Sequence, residues 1–324
     1  MSKNVLVTGG AGYIGSHTCK ELSRNGFTPI VFDDLSTGHE EFVKWGPLFI
    51  GNVKSKRDLK KVFDEYDLKF VMHFAAKANI KESTINPIKY FKENICGTTN
   101  LLNQFLASNG EVLIFSSSCS VYGEQNADKI SEDTTQNPIN PYGFSKLASE
   151  KLINYLKFSN NFNFSILRYF NVAGADASLE IGELHQNESH VVPLLIMALL
   201  KNETFLVNGK DFDTLDGTAI RDYVHVGDVA KAHVLALQYN ISEKKDITCN
   251  LGSGCGISVL ELINEIKKIN PDFLYDFREK RQGDPSKLIA DIEIAKDVLH
   301  WEPKQSNVSD IINSSLAWHK NILS

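Results

Sequence analysis

A tyrosine and a lysine four residues apart, in Tyr142-Gly143-Phe144-Ser145-Lys146, are the side chains whose types and spacing point most directly to chemistry. On a helix they leave one face about one turn apart. A free phenol has a pKa of about 10 and is almost wholly neutral at pH 7. A fixed positive charge beside it favours the phenolate, which can take a proton from a hydroxyl. The same spacing is common on solvated helix faces, so its meaning depends on its surroundings.

Two further features give it a context. Ser116-Ser117-Ser118 closes a strand-like stretch, 112–116, upstream of the pair. A hydroxyl there could share a substrate proton with Tyr142, which makes Ser118 the third candidate. At the start of the chain, the strand-like 4–8 meets Gly9-Gly10-Ala11-Gly12-Tyr13-Ile14-Gly15, and a helical pattern follows to about residue 24. Gly9, Gly12 and Gly15 in that context predict a turn that approaches a pyrophosphate held on a helix N-terminus. The next strand, 29–32, ends in Asp33-Asp34, and Asp33 lies 18 residues after Gly15. An acid there bonds the adenosine ribose and repels a 2′-phosphate, so the expected cofactor is NAD rather than NADP.

The elements that must position these groups alternate. Strand-like segments at 48–53, 70–75, 112–116 and 164–167 are separated by helical ones at 55–64, 87–108 and 140–158. This predicts an α/β fold, a Rossmann-type doubly wound parallel sheet with ligands at the strand carboxyl ends. From about residue 172 glycines, prolines and shorter helices loosen the pattern, which predicts a smaller α+β substrate domain. His73, at a strand end, is expected to be structural.

Composition narrows the class. The 324 residues are 42% hydrophobic and 23% charged, with net charge −6 and no dense basic block, as expected of a globular chain with no nucleic-acid partner. Cys19, Cys96, Cys119, Cys249 and Cys255 are odd in number and scattered, which predicts reduced thiols and no metal centre. There is no signal-peptide layout, and the longest apolar run, 191–200, contains Pro193 and is too short for a bilayer. The expected location is cytoplasmic.

The motifs together resemble the extended short-chain dehydrogenase/reductases. They most resemble the family of UDP-glucose 4-epimerases, essentially end to end. The motifs that carry this are Val7-Thr-Gly-Gly-Ala-Gly-Tyr-Ile-Gly-Ser-His17, His73-Phe-Ala-Ala76, Phe115-Ser-Ser-Ser118, Val121-Tyr-Gly123, Pro141-Tyr-Gly-Phe-Ser-Lys146, Leu167-Arg-Tyr-Phe-Asn171 and Asp216-Gly-Thr-Ala-Ile-Arg-Asp-Tyr-Val-His225. The resemblance implies a catalytic trio of Ser118, Tyr142 and Lys146. It implies NAD contacts at Tyr13 and Ile14, at Asp33, Asp34, Leu35, Ser36, Thr37 and Gly38, and at Asn52 and Val53. Further contacts are implied at Phe74, Ala75, Ala76, Lys77 and Ala78, at Asn94 and at Phe170. For a UDP-sugar it implies Asn171, His190, Val191, Leu206, Val207, Asn208, Arg221, Arg281 and Asp284, the two arginines clamping the diphosphate. Asp222, Tyr223, His225 and Asp228 are expected to hold the Arg221 turn.

Departures from the family pattern are specific. Asn52 replaces an Asp at the adenine. Ala78 stands where some relatives carry a Lys, with Lys77 one residue earlier, and His190 replaces an Asn. Cys119 and Ser120 occupy the positions where dehydrating relatives keep an acid pair, which counts against sugar dehydration and decarboxylation. Leu288 falls where a Tyr excludes N-acetyl groups. The implied activity is reversible NAD-dependent C4 epimerisation of UDP-glucose and UDP-galactose, an isomerase of galactose metabolism working through a 4-keto sugar. A UDP-N-acetylglucosamine or UDP-pentose epimerase is the same-fold alternative, and a non-catalytic NAD-binding regulator the remote one. The implied organisation is 1–171 for NAD, with segments near 220–252 returning to it, and 172–324 for the UDP-sugar. The implied assembly is a homodimer through the helices near 87–108 and 142–158.

Overall fold

The computed structural model describes residues 3–281 and 284–323. Its main sheet has seven parallel strands: β1 (Asn4–Thr8), β2 (Thr28–Asp33), β3 (Leu48–Ile50), β4 (Phe70–His73), β5 (Val112–Ser118), β6 (Asn163–Tyr169) and, from late in the chain, β10 (Ile247–Leu251). The order across it is β10-β6-β5-β4-β1-β2-β3, so the winding reverses between β1 and β4. The carboxyl ends of those two strands face the crevice where such sheets bind ligands. The doubly wound α/β expectation holds.

Strand sequence explains the two layers. Successive side chains point to opposite faces. Val5 and Val7 of β1 join one apolar cluster with Val31, Met72 and Ile114. Leu6 joins the other with Ile30, Phe32, Val71, Leu113 and Phe115. Both faces are covered, as continuous apolar strands in parallel sheets require.

The second half is less as expected. A four-stranded sheet is built from β7 (Asn171–Ala173), β9 (Ile220–His225), β11 (Gly256–Ser258) and β13 (Lys287–Leu288). A two-stranded one pairs β8 (Phe205–Asn208) with β12 (Tyr275–Arg278). The segment 220–225 therefore does not return to the main sheet, because β9 hydrogen-bonds to β7, β11 and β13 instead. What returns is the helix Val226–Glu243 together with β10. That helix has 18 residues, so the helices after 172 are not uniformly shorter. The helical stretch from 87 is continuous but carries a π-helical segment, Phe91–Cys96, between Pro87–Tyr90 and Gly97–Ala107. Among the described residues no helix is long and apolar enough to cross a membrane.

His73 is built into this frame. Its Nδ1 lies 2.7 Å from Thr8 Oγ1 and its Nε2 2.9 Å from Thr98 Oγ1. Burial, with Lys146 nearby, lowers its pKa to about 3. The folded value lies below the unfolded one of about 6.5, so the unfolded chain takes up the proton first as pH falls. The stability this group contributes is present above about pH 6.5 and is lost progressively below it. At pH 5 the loss is about 2 kcal/mol, at roughly 1.4 kcal/mol per unit. The buried His17 and His233, each near 4, add to the same trend. The urea midpoint should therefore fall between pH 7 and pH 5; an unchanged midpoint would contradict this account.

Candidate active site

Asn140 and Pro141 start the helix that carries the tyrosine and lysine, Pro141–Lys157. Asn140 Oδ1 accepts from Gly143 N at 2.8 Å, capping the first turn, and proline at the first helical position needs no donor. Gly143 lets this turn sit against the chain after β5. A Cβ there would lie 2.4 Å from Ser120 O. The close approach brings Tyr142 beside Ser118, at the end of β5.

The pair does not behave as its spacing alone suggests. Burial pushes the Tyr142 phenol up to about 12, while a hydrogen bond with Ser118 pulls the other way. Burial lowers Lys146 to about 8, opposed by the Glu150 carboxylate. Lys146 Nζ donates to Ser116 O at 2.6 Å and lies over the Phe115 ring. Desolvation therefore favours a neutral phenol over the phenolate expected from a neighbouring ammonium, and the opposing pull comes from Ser118. Glu150 is buried and pairs bidentately with Arg168, at 2.7 and 3.0 Å. Arg168 also donates to Tyr122 Oη at 2.9 Å.

Two cavities meet at Tyr142, and Tyr13, Ile14, Ala78, Tyr169 and His190 also line both. The first runs over the glycine turn and the carboxyl ends of β1, β2 and β4. Its walls include Gly9, Gly12, Gly15, Asp33, Asp34, Ser36, Thr37, Gly38, Asn52, Val53, Phe74 to Ala78 and Lys146. Asp33 is buried and accepts from Ala11 N at 3.0 Å and Leu35 N at 2.9 Å; burial raises its pKa against those hydrogen bonds. Asn52 donates to Asp34 Oδ2 at 2.7 Å and accepts from Lys54 N at 2.8 Å. Lys77 Nζ reaches Ser36 Oγ at 3.1 Å. A glycine-lined turn, a helix N-terminus and a buried acid at the end of β2 fit a dinucleotide.

Three residues expected at the cofactor are not in the lining of the first cavity. Leu35, in a left-handed conformation, packs against the core cluster. Phe170 lines the second cavity. Asn94, on the π-helical segment, is buried; it accepts from Lys77 N at 2.8 Å and donates to Lys77 O and Ser145 Oγ. It ties the loop after β4 to the residue before Lys146.

The second cavity is lined by Ser118, Asn171, His190, Val191, Leu206, Val207, Asn208, Arg221, Arg281 and Asp284. Arg221 donates to Asp284 Oδ1 at 2.5 Å, so these two groups hold each other. Asp222 accepts from Ser253 N, Gly254 N and Ala290 N, which fastens the loops behind Arg221. Leu288 lines neither cavity. It pairs with Arg221 in β13 and packs against the first core cluster.

Sequence reasoning passed over several wall residues. Arg278 lines the second cavity beside Arg281, and its Nε donates to Asn208 Oδ1 at 2.6 Å. Its alternation with Asp276 along a short strand was the available signal. Tyr169 Oη lies 2.6 Å from His233 Nε2. His39, Leu184 and His185 close the first cavity. His185 belongs to a Glu183-x-His185-x-x-Glu188-x-His190 spacing that the sequence displays.

Comparison with known proteins agrees with this geometry. The family model for the NAD dependent epimerase/dehydratase family matches residues 5–252. The chain is 42% identical over 320 residues to UDP-glucose 4-epimerase of Rhizobium meliloti (strain 1021), covering 98% of this chain and 97% of that one. UDP-glucose 4-epimerase from Brucella ovis, solved in complex with NAD, superposes with a TM-score of 0.93 at 40% identity, over 97% of each chain. The UDP-Glc/GlcNAc 4-epimerase of Campylobacter jejuni superposes with a TM-score of 0.86 at 35% identity, over 99% of this chain and 100% of that one. On its sequence, its doubly wound sheet and its matched segment, the chain belongs to the NAD dependent epimerase/dehydratase family.

Proposed function

We infer that the chain is an NAD-dependent UDP-glucose 4-epimerase, interconverting UDP-glucose and UDP-galactose through a 4-keto sugar. The observation that carries the reading is Tyr142 at the junction of the two cavities, with Lys146 in the wall of one and Ser118 in the wall of the other. NAD, when bound, supplies a reversible acceptor for the C4 hydride. Gly9, Gly12 and Gly15 would hold its pyrophosphate and Asp33 its adenosine ribose. Tyr142 takes the proton of the C4 hydroxyl and later returns it, and Ser118 shares that hydrogen bond. Lys146, buried and cationic over part of the neutral range, stabilises the ionised phenol. Arg221 and Arg281 would grip the diphosphate, so that the keto sugar can turn about that anchor and present its other face. Cys119 and Ser120 offer no acid pair for loss of water.

The organisation we propose places 1–171 and the returning 226–251 around NAD, and the rest around the UDP-sugar. Ile88, Phe144, Tyr155 and Phe158 are large apolar side chains exposed on or beside the helices expected to pair, and support a homodimer. A cytoplasmic role in galactose metabolism is the setting that fits.

Proton NMR of UDP-glucose incubated with the purified chain, with and without added NAD, tests the activity. The expected result is UDP-galactose accumulating to a fixed ratio with no net consumption of NAD. No galactose-configured product in either sample would refute the reading. UDP-N-acetylglucosamine belongs in the same experiment, because the Campylobacter jejuni relative is named for both sugars.

A further inference from the structure

The loop before the helix Val191–Lys201 carries four metal-ligating side chains within eight residues: Glu183, His185, Glu188 and His190. One donor atom from each lies within 4.8 Å of the others, the one such group among the described residues. Glu183 Oε1 is 2.5 Å from His190 Nδ1 and 3.3 Å from His185 Nδ1. Glu188 Oε2 is 3.2 Å from His185 Nδ1, and its Oε1 is 3.5 Å from His190 Nδ1. Four donors bonded to zinc at about 2.0–2.1 Å in a tetrahedron lie roughly 3.3 Å from one another. The four carboxylate–imidazole separations, two of them to different oxygens of Glu188, scatter around that edge, and one donor from each residue lies within 4.8 Å of the others.

The charges of the cluster balance either through its own ion pairs or through a bound cation. Glu183 is 3% exposed, yet its ion-pair partners among the described residues are the two imidazoles, with no lysine or arginine. A buried carboxylate needs compensation. Without a metal, hydrogen bonds to Glu183 and Glu188 raise His185 to about 10, and Glu183 raises His190 against burial. A divalent cation would displace those two protons, leaving two carboxylates and two neutral imidazoles as its ligands. The outer contacts are also in place. Glu188 Oε1 accepts from Ser189 N and His190 N at 2.6 and 2.7 Å, and Trp318 Nε1 donates to Glu183 O at 2.9 Å. The first two orient the Glu188 carboxylate, as contacts behind metal ligands do, and the third fixes the backbone at Glu183.

We propose that Glu183, His185, Glu188 and His190 form a zinc site that fastens this loop as the shared wall of the two cavities. Imidazole donors favour zinc over magnesium or calcium. Four protein donors close the coordination sphere, so the site is structural and activates no water. Its effect is local. Leu184 and His185 line the cofactor cavity, and His190 lines both cavities. Ligation through Nδ1 leaves His190 Nε2 outside the cluster and available to the cavities. The proposal does not depend on the epimerase reading.

The test uses the untagged full chain, stripped with a chelator and titrated with zinc chloride against a chromophoric competitor, without nucleotide. The expected result is one zinc per chain, with a melting temperature about 2–5 °C higher when zinc is in excess. Cobalt(II) should give the visible absorption of a tetrahedral site, and magnesium should give no shift. His185→Ala alters a side chain that is 35% exposed, and Glu188→Gln keeps the size of one that is 8% exposed. Changes to outer contacts alone cost metal sites about 10–100-fold in affinity, so loss of a ligand should cost at least roughly 100-fold. A wild-type chain that takes up no zinc overturns the proposal, whatever the variants do. So do variants that bind zinc as tightly as wild type.

Discussion

Tyr142→Phe should lower kcat by about 10²–10⁴, the span contributed by a positioned general acid or base. KM for the UDP-sugar should change far less, and the purified variant should keep its NAD. The side chain is half-buried at the cavity wall, and the change removes only the phenolic oxygen, so the fold should survive. The readouts are initial rates with UDP-galactose and the NAD released on denaturation. Turnover within tenfold of wild type would remove Tyr142 from the reaction. Loss of NAD together with turnover would instead make it a cofactor residue.

The expected size of that effect reflects how much the site does to one group. Burial holds the phenol near 12 and the Lys146 ammonium near 8, so at pH 7 the phenol is neutral while the ammonium keeps most of its charge at a cost. Ionising the phenol at neutral pH takes several units of stabilisation, each about 1.4 kcal/mol. Ser118 contributes a hydrogen bond toward it. Glu150 keeps Lys146 from losing its proton more readily, while Arg168 neutralises Glu150. These groups act only when the site is dry, because low local polarity is what makes each fixed charge count.

Local chemistry made part of this visible in the sequence. β1, the glycine turn and Asp33 were readable because strand, turn and acid follow one another within 30 residues and each has a distinct pattern. The helical stretch expected at 140–158 is the helix Pro141–Lys157. Long-range packing hid the rest. Nothing local assigns β9 to the second sheet, since its pairing is decided by β7, β11 and β13. Asn94 reads as a cofactor contact by position, yet its amide is occupied by Lys77 and Ser145, brought near by the π-helical segment. The neutral state of Tyr142 depends on burial, which spacing does not encode. The carboxylates and imidazoles from Glu183 to His190 are adjacent in sequence, but the burial of Glu183 is a property of the packed chain that this spacing does not encode.

Gly15→Ala should abolish NAD retention, raising the apparent Kd at least roughly 100-fold, and turnover should fall with it. The cause is steric and local. A Cβ at residue 15 would lie 2.2 Å from Gly9 O and 2.9 Å from Gly10 Cα. Both obstacles are backbone, so no side-chain rotation relieves the clash. Either the helix Tyr13–Arg24 moves away from β1 or the turn opens. In both cases the helix N-terminus no longer faces the pocket at the distance a pyrophosphate needs, and the peptide dipoles lose most of their effect beyond one turn. Stability should fall as well, since the helix buries Cys19 and Leu22 against the core. The two effects separate in one experiment. Isothermal titration with NAD well below the variant's melting temperature, with circular dichroism confirming native helix content, isolates the binding term. An alanine variant that binds NAD as tightly as wild type would mean that the cofactor does not rest on this turn. That would undo the placement of the cofactor, and with it the role of Tyr142 at the boundary between the two cavities.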